Sequence, residues 1–159
     1  MDNILELLRE DARLSPDAIA EQLDIPSSEV TKAIADYERD GVIKGYQAVI
    51  NEDIVDADIV KAVIEIKITP EREGGFDRIS QRVARFPEVD SMFLMSGSYD
   101  VLVFIKGRTL REVASFVSEK LATIDGVLST ATHFMLKTYK DQGIIMRAEK
   151  DDERLKVSP

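Results

Sequence analysis

Gly97, Ser98, Tyr99 and Asp100 follow one another in the chain, and together they carry the groups that a zwitterionic ligand requires. Glycine lets a backbone come close to a ligand, the exposed N–H groups of a turn hold a carboxylate, and an aspartate accepts hydrogen bonds from an ammonium. The same residues also suit an ordinary hairpin turn in which Asp100 bonds its own backbone. Ser129, Thr130 and Thr132 supply further hydroxyls on a later strand, where hydroxyls commonly just face solvent. Catalytic and metal chemistry have little to work with. The chain has no cysteine and a single histidine, His133, which removes disulfides, thiol catalysis, thiolate sites and multi-histidine metal centres together. No serine or cysteine motif accompanies His133, so no catalytic residue, metal ligand or cofactor is assigned.

The rest of the composition narrows the class. With 159 residues the chain has room for one ordinary domain or two small ones. Its 44% hydrophobic and 32% charged content is that of a folded protein with a real core. The longest uncharged apolar run, 101–105, falls far short of the roughly 20 residues needed to cross a bilayer. Met1-Asp2-Asn3 opens an acidic N-terminus without the basic start of an export signal, so a reducing cytoplasm and no membrane anchoring are expected. The 21 basic and 30 acidic residues leave a net charge of -9, which repels nucleic acid at long range unless the cations cluster where binding happens.

The elements that must position these groups fall into two stretches with different periods. From Ile4 to about Tyr46 apolar residues recur at helical spacing in three blocks: Ile4, Leu7 and Leu8, then Ile19 and Leu23, then Val30, Ile34 and Tyr37. Ser15, Pro16 and Asp17 mark the start of the second helix as an N-cap, a proline at the first helical position and a carboxylate at the positive end. Ser27 or Ser28 is placed to cap a third helix running to Asp40, with Gly41 at the left-handed position beyond it. The joint Asp24-Ile25-Pro26 is short, Ala20 is small where the helices would cross, and Asp24 tolerates the left-handed region. Such a joint suits a helix-turn-helix and also a plain three-helix bundle. Val42 to Ile50, rich in β-branched residues and interrupted by Gly45, predicts a short hairpin or an extended connector. Residues 51–59 are acidic and weakly patterned, which places a domain boundary there.

From Val60 the period becomes two, with Val60, Ala62, Ile64, Ile66 and Ile68 on one face and only Val63 breaking the alternation. Pro70 ends that strand, Gly74-Gly75 follows, and Phe76, Ile79, Val83 and Phe86 define a helix closed by Pro87. Strands over 89–95 and 99–106, joined by Ser96-Gly97-Ser98, precede a helix capped by Thr109 and carrying Val113, Phe116, Val117, Leu121 and Ile124. A last strand spans 127–137. Ile79, Val83, Phe86 and Val89 recur 38 residues later as Val117, Leu121, Ile124 and Val127, and duplicated halves of this kind build a ferredoxin-like βαββαβ sandwich with both helices on one sheet face. With 101–105 apolar on both sides, the uncovered face of the sheet, or its edges, is expected to meet another copy of the chain. Arg72, Arg78, Arg82 and Arg85 form a basic run that serves solubility or an acidic partner, and 149–156 reads as a charged, solvated tail.

A helix-turn-helix unit, a hairpin-like connector and a βαββαβ domain in this order resemble the Lrp/AsnC, or feast/famine, family of transcriptional regulators over about residues 2–140. The resemblance is carried by Ile4 to Leu8, Ser15-Pro16, Ile19-Ala20, Leu23, Val30, Ile34 and Asp40-Gly41-Val42-Ile43 in the first part. In the second part it is carried by Phe86-Pro87-Glu88-Val89, Gly97-Ser98-Tyr99-Asp100 and Gly126-Val127-Leu128-Ser129-Thr130, of which the Gly-x-Tyr-Asp turn is the most specific. It implies an α+β protein: a three-helix, winged-helix-like helix-turn-helix DNA-binding domain over 1–46 and a hairpin or linker over 47–59. A ferredoxin-like ligand-binding and oligomerisation domain over 60–140 and a C-terminal extension and tail over 141–159 complete it. It further implies homodimers paired through the sheet, often joined into octamers or other rings, and amino acids bound between subunits that alter DNA binding or assembly. On that basis Gly97, Ser98, Tyr99 and Asp100 become effector-binding candidates, with Ser129, Thr130 and Thr132 behind them.

For DNA, the third helix is expected in the major groove with Ser28, Thr31, Lys32, Ala35, Asp36 and Arg39 turned outward, opposite Val30 and Ile34. Ser28 and Thr31 can bond phosphates or base edges, and Lys32, Arg39 and Lys44 can neutralise phosphates. Relatives usually carry several basic residues on this helix, whereas residues 1–46 here hold 5 cations against 11 anions. Weak binding per subunit, helped by several copies acting together, is therefore expected. The alternative is an amino-acid sensor or assembly module that scarcely touches DNA. An enzyme is the least favoured reading: some haem-pathway decarboxylases look like this family, but they need cationic and histidine side chains where this chain offers one histidine and the apolar Met92-Phe93-Leu94-Met95.

Overall fold

The computed structural model describes residues 2–55, 58–69 and 76–146, and the chain divides into two compact units, Met1–Val49 and Ile50–Pro159. Pro70, Arg72, Gly74-Gly75 and the tail 149–156 lie outside the described residues.

The first unit is three helices: α1 (Asn3–Glu10), α2 (Pro16–Leu23) and α3 (Ser27–Arg39). The carboxylate of Asp2 caps α1 by accepting the Ile4 N–H at 2.8 Å, and Ser15 caps α2 by accepting from Ala18 at 3.2 Å with Pro16 at the first helical position. Asp24 takes φ 53° and ψ 46°, the left-handed joint expected between α2 and α3. Ile4, Leu8, Ile19, Ala20 and Val30 form the buried centre, so all three helices share one small core. Neither Ser27 nor Ser28 caps α3. Pro26 occupies the cap position and its carbonyl accepts from Glu29 at 2.9 Å and Val30 at 3.3 Å. The helix thus starts one residue earlier than the serine pattern required, and the Ser27 hydroxyl, already inside it, donates instead to Asp17 of α2. At the other end the N–H groups of Val42 and Ile43 return to the Tyr37 carbonyl at 2.9 and 3.1 Å, with Gly41 at φ 71°. No strand forms over 43–50, so of the two alternatives for that stretch the connector holds and the hairpin does not.

The second unit is built on a four-stranded antiparallel sheet of order β2-β3-β1-β4, from β1 (Val60–Ile68), β2 (Val89–Leu94), β3 (Val101–Gly107) and β4 (Val127–Met135). The short helix α4 (Glu52–Val55) precedes β1; α5 (Asp77–Val83) links β1 to β2, and α6 (Leu110–Ser115) begins the link from β3 to β4. Ala62, Ile64, Ile66 and Ile68 of β1 and Val101, Val103 and Ile105 of β3 point to one face, where Ile79 and Val83 of α5 and Val113, Phe116, Leu121 and Ile124 cover them. This is the βαββαβ sandwich that the duplicated pattern predicts.

The two halves differ in one respect. After Ser115 the second helix continues through Phe116–Leu121 with wider turns, shown by the Ala122 N–H bonding the Val117 carbonyl five residues back at 2.8 Å. That widening lets Phe116 and Leu121, five residues apart, both face the core, while Val117, the repeat partner of Ile79, is only half-buried. In the stretch expected to be a linker, Glu52 of α4 pairs with Lys61 of β1 and with Lys106 of β3 at 3.2 Å, so the start of this unit is held to its sheet. A small hairpin, β5 (Lys140–Asp141) and β6 (Ile144–Ile145), turns at Gln142 and Gly143 with φ of 44° and 88°.

Candidate nucleic-acid interface and effector site

On α3 the core side carries Val30, and Ser28, Thr31, Lys32, Ala35 and Arg39 are exposed, with Asp36 half-exposed, as the helical spacing requires. The structure thus brings Ser28, Thr31, Lys32, Asp36 and Arg39 onto one outward surface, and Lys44 follows beyond the helix end. Two of these groups are already engaged. The Thr31 hydroxyl donates to the Ser27 carbonyl at 2.9 Å. The Arg39 guanidinium donates to Asp36 at 2.6 Å and to both oxygens of Asp40 at 2.9 and 3.3 Å, and Asp40 with Asp36 raises its pKa further above the ordinary guanidinium value. Lys32 is exposed and forms no ion pair among the described residues. Arg39, expected at a phosphate, is thus clamped by carboxylates of its own helix end, a contact that the spacing of Asp36, Arg39 and Asp40 contains.

Two further contacts brace the unit. Asp2 and Tyr37 share a hydrogen bond; with the Ile4 N–H it holds the Asp2 carboxyl below the ordinary aspartate range, and it raises the Tyr37 phenol. The Tyr46 hydroxyl donates to Glu38 at 2.9 Å, and burial followed by this bond raises its pKa.

In the second unit the turn 96–100 joins β2 to β3. Ser96, Gly97 and Ser98 are exposed, while Tyr99 and Asp100 are half-buried. Gly97 has φ 151° and open space where a side chain would project, so the backbone at this point can be approached from outside. The Asp100 carbonyl closes the turn by accepting the Met95 N–H at 2.8 Å, but its side chain neither bonds the turn nor stands free. Its Oδ2 accepts the N–H of Ile68, at the end of the neighbouring β1, at 2.8 Å, and its own N–H donates to the Ile66 carbonyl at 3.0 Å. Among the described residues its other carboxylate oxygen has no hydrogen-bond donor.

Thr130 pairs with Ile66 and Ser129 with Lys67 on the opposite edge of β1, so these residues and Asp100 come to the same end of the sheet, one strand apart. That separation is about 10 Å, the span of two strand spacings. The three hydroxyl residues do not share a face. Thr130 and Thr132 lie opposite Ile66 and Ile64 and therefore project toward the helices, whereas Ser129, opposite Lys67, projects the other way. His133, left without a role, pairs across the sheet with Val63 on the open face and approaches Glu65 at 3.3 Å.

That open face is apolar in its middle. Phe104 and Leu102 of β3 stand opposite Val63 and Glu65 of β1, and Phe93 of β2 meets Phe104 edge to face with ring centres 6.0 Å apart. Phe93 remains 53% exposed, which leaves an apolar surface with nothing among the described residues over it. Among the described residues no helix is long and apolar enough to cross a membrane, and no cluster of acidic or histidine side chains could hold a metal ion.

Comparison with known proteins accounts for both units. Residues 3–44 match a winged helix-turn-helix DNA-binding domain and residues 61–145 match the Lrp/AsnC ligand binding domain. The chain is 46% identical over 157 residues to YugG, an uncharacterised HTH-type transcriptional regulator of Bacillus subtilis, covering 98% of this chain and 95% of that protein. The structure of Escherichia coli AsnC superposes with a TM-score of 0.68 at 20% identity, over 91% of this chain and 97% of that one. The transcriptional regulator NMB0573 of Neisseria meningitidis, solved as a complex with L-methionine, superposes with a TM-score of 0.66 at 25% identity, over 87% and 89% of the two chains. With both units matched and a relative 46% identical over nearly the whole chain, the chain belongs to the Lrp/AsnC family of DNA-binding transcriptional regulators.

Proposed function

We propose that this regulator assembles through the open face of its sheet and binds an amino acid at the turn of Gly97, Ser98, Tyr99 and Asp100, with Ser129, Thr130 and Thr132 of β4 as further candidates. The observation that carries the effector site is the half-used carboxylate of Asp100: one oxygen ties the turn to Ile68, which fixes its orientation, and the other has no donor among the described residues. An oriented carboxylate with a spare acceptor beside an open glycine backbone suits an ammonium and a carboxylate on one small molecule. The L-methionine held by the Neisseria relative supports an amino acid as the ligand class. The apolar centre of the open face supports assembly, and closure by a second copy would enclose a turn that is exposed in the single chain.

Sequence-specific DNA contact is assigned to Ser28, Thr31, Lys32 and Lys44, with Arg39 available after release from its carboxylates and Asp36 acting against phosphate. A second reading, a sensor with little DNA binding of its own, is favoured by the clamp on Arg39 and by the excess of acidic residues in 1–46. Gel-shift titration against the promoter region of its own gene, with and without each amino acid, separates the two. The regulator reading expects binding that one amino acid alters and that Lys32→Glu removes, with light scattering showing an oligomer in both proteins. Absence of a shift with the parent oligomer supports the sensor reading.

A further inference from the structure

A cavity of about 340 Å³ opens between α5 and the turn that leads into β4, walled by Arg78, Arg82 and Arg85, floored by the buried Ile79 and Ile124, and flanked by Asp125. Arg78 and Arg82 stand four residues apart on α5 and Arg85 lies just beyond its end, so three guanidinium groups gather on one wall. Like charges at this spacing repel one another and destabilise a helix. The negative end of the helix dipole offsets one cation near the last turn, but it does not account for both Arg82 and Arg85 beside a cavity with an apolar floor. Arg82 and Arg85 are exposed and form no ion pair with any described residue, in a chain whose net charge is -9 and which has carboxylates to spare elsewhere.

Guanidinium is planar, stays charged at any physiological pH and bonds phosphate through two parallel N–H groups, which makes paired arginines a phosphate-recognising arrangement. We propose that this cavity binds a phosphorylated small molecule that also carries hydroxyl or amine donors, in the class of nucleotides and sugar phosphates. The phosphoryl group sits against Arg82 and Arg85, the apolar face of a ring packs on Ile79 and Ile124, and Asp125 accepts from the ligand's donors. A duplex is the weaker match: the cavity has the size of a small-molecule site at the lower end of the usual range, and Asp125 would repel a phosphate backbone drawn across it. The site is separate from the turn at Asp100 and does not depend on it.

Titration calorimetry of the full chain with ATP and with pyrophosphate tests this. ATP should bind saturably and more weakly as salt rises. Arg82→Gln combined with Arg85→Gln should weaken it by roughly a hundredfold, about tenfold for each charge-assisted contact. Asp125→Asn should weaken ATP while leaving pyrophosphate unchanged or tighter, because only ATP offers donors to the carboxylate. The thermal midpoint of the ligand-free variants should not fall below the parent's, since these side chains are exposed and the arginine substitutions relieve like-charge repulsion. No saturable ATP binding, or equal binding by the double arginine variant, overturns the proposal. So does a result in which the double variant loses affinity for duplex DNA while the parent never binds ATP, which would assign the arginines to a nucleic-acid backbone.

Discussion

Replacing Asp100 separates two roles that one side chain combines. Its Oδ2 accepts the Ile68 N–H at 2.8 Å in a part-buried position at the end of β1. Asp100→Ala strands that N–H, and an unsatisfied buried donor costs about 1–3 kcal/mol, with partial exposure placing this one toward the lower end. For a unit of this size the loss lowers the thermal midpoint by roughly 4–8 °C for each kcal/mol. Asp100→Asn keeps a carbonyl acceptor for Ile68 and removes only the charge, so its midpoint should stay close to the parent's. Ligand binding should respond differently. Both variants lack the anionic partner of an amino-acid ammonium, a contribution of about 1.5–3 kcal/mol, so both should bind roughly ten- to a hundredfold more weakly. Calorimetric titration with the amino acid that binds the parent, paired with thermal unfolding, measures the two quantities on the same samples. Equal binding by Asp100→Asn and parent would refute the ammonium contact. An unchanged midpoint for Asp100→Ala would refute the stabilising role of the Ile68 bond.

Three further outcomes follow from other parts of the molecule. Asp36→Asn with Asp40→Asn frees Arg39 and removes two anions from the α3 surface, so DNA affinity should rise and its log-log salt slope should steepen by about 0.9 for one added phosphate contact; unchanged affinity and slope would remove Arg39 from the interface. Gly126→Ala should destabilise the second unit by roughly 1–3 kcal/mol in denaturant titration, because Gly126 has φ 92° and an added Cβ would stand 2.5 Å from Ile79 Cδ1. Combining it with Ile79→Val should recover only the steric share, and an Ala variant as stable as the parent would contradict the close approach. Asp2, Glu52 and Glu88 have carboxyl pKa values lowered chiefly by Tyr37, Lys61 and Lys120 respectively. A depressed folded pKa stabilises above the unfolded value, near 4, and that stability is lost as pH falls through the folded value. Unfolding free energy should therefore be level above about pH 5 and decline below about pH 4, less steeply in Glu52→Gln, and an acid arm unchanged by that substitution would exclude Glu52 as a contributor.

Much of the architecture was legible because it depends on near neighbours in the chain. Alternation in β1 is a property of a pleated strand, and Ala62, Ile64, Ile66 and Ile68 all turned out buried. The Ser15 and Thr109 caps and the left-handed Asp24 were likewise readable from types and spacings within a few turns. Family membership followed from the order of those elements together with the Gly-x-Tyr-Asp turn, and the matches over 3–44 and 61–145 agree with it.

What the sequence could not decide depended on groups that meet only after folding, or on two local options of similar energy. Ser27 could cap α3 or enter it; Pro26, with φ -61° and an extended ψ of 135°, took the cap position, and the hydroxyl found Asp17 ten residues back. The Asp100 side chain could bond its own turn or turn away from it; sheet register placed the Ile68 N–H, from 32 residues away, against one of its oxygens. The pleat puts the adjacent Ser129 and Thr130 on opposite faces, and the same register decided that Thr130 is the one turned toward the helices. Composition and period thus determined which residues are apolar, which stretches are helix or strand and which face of each is inward, because backbone geometry enforces those choices locally. The pairing of β1 with β3 and β4, the anchoring of Glu52 on Lys61 and Lys106, and the arginine-walled cavity beside Ile124 were decided only by the tertiary fold, because each joins residues far apart in sequence whose distance the chain alone leaves unspecified.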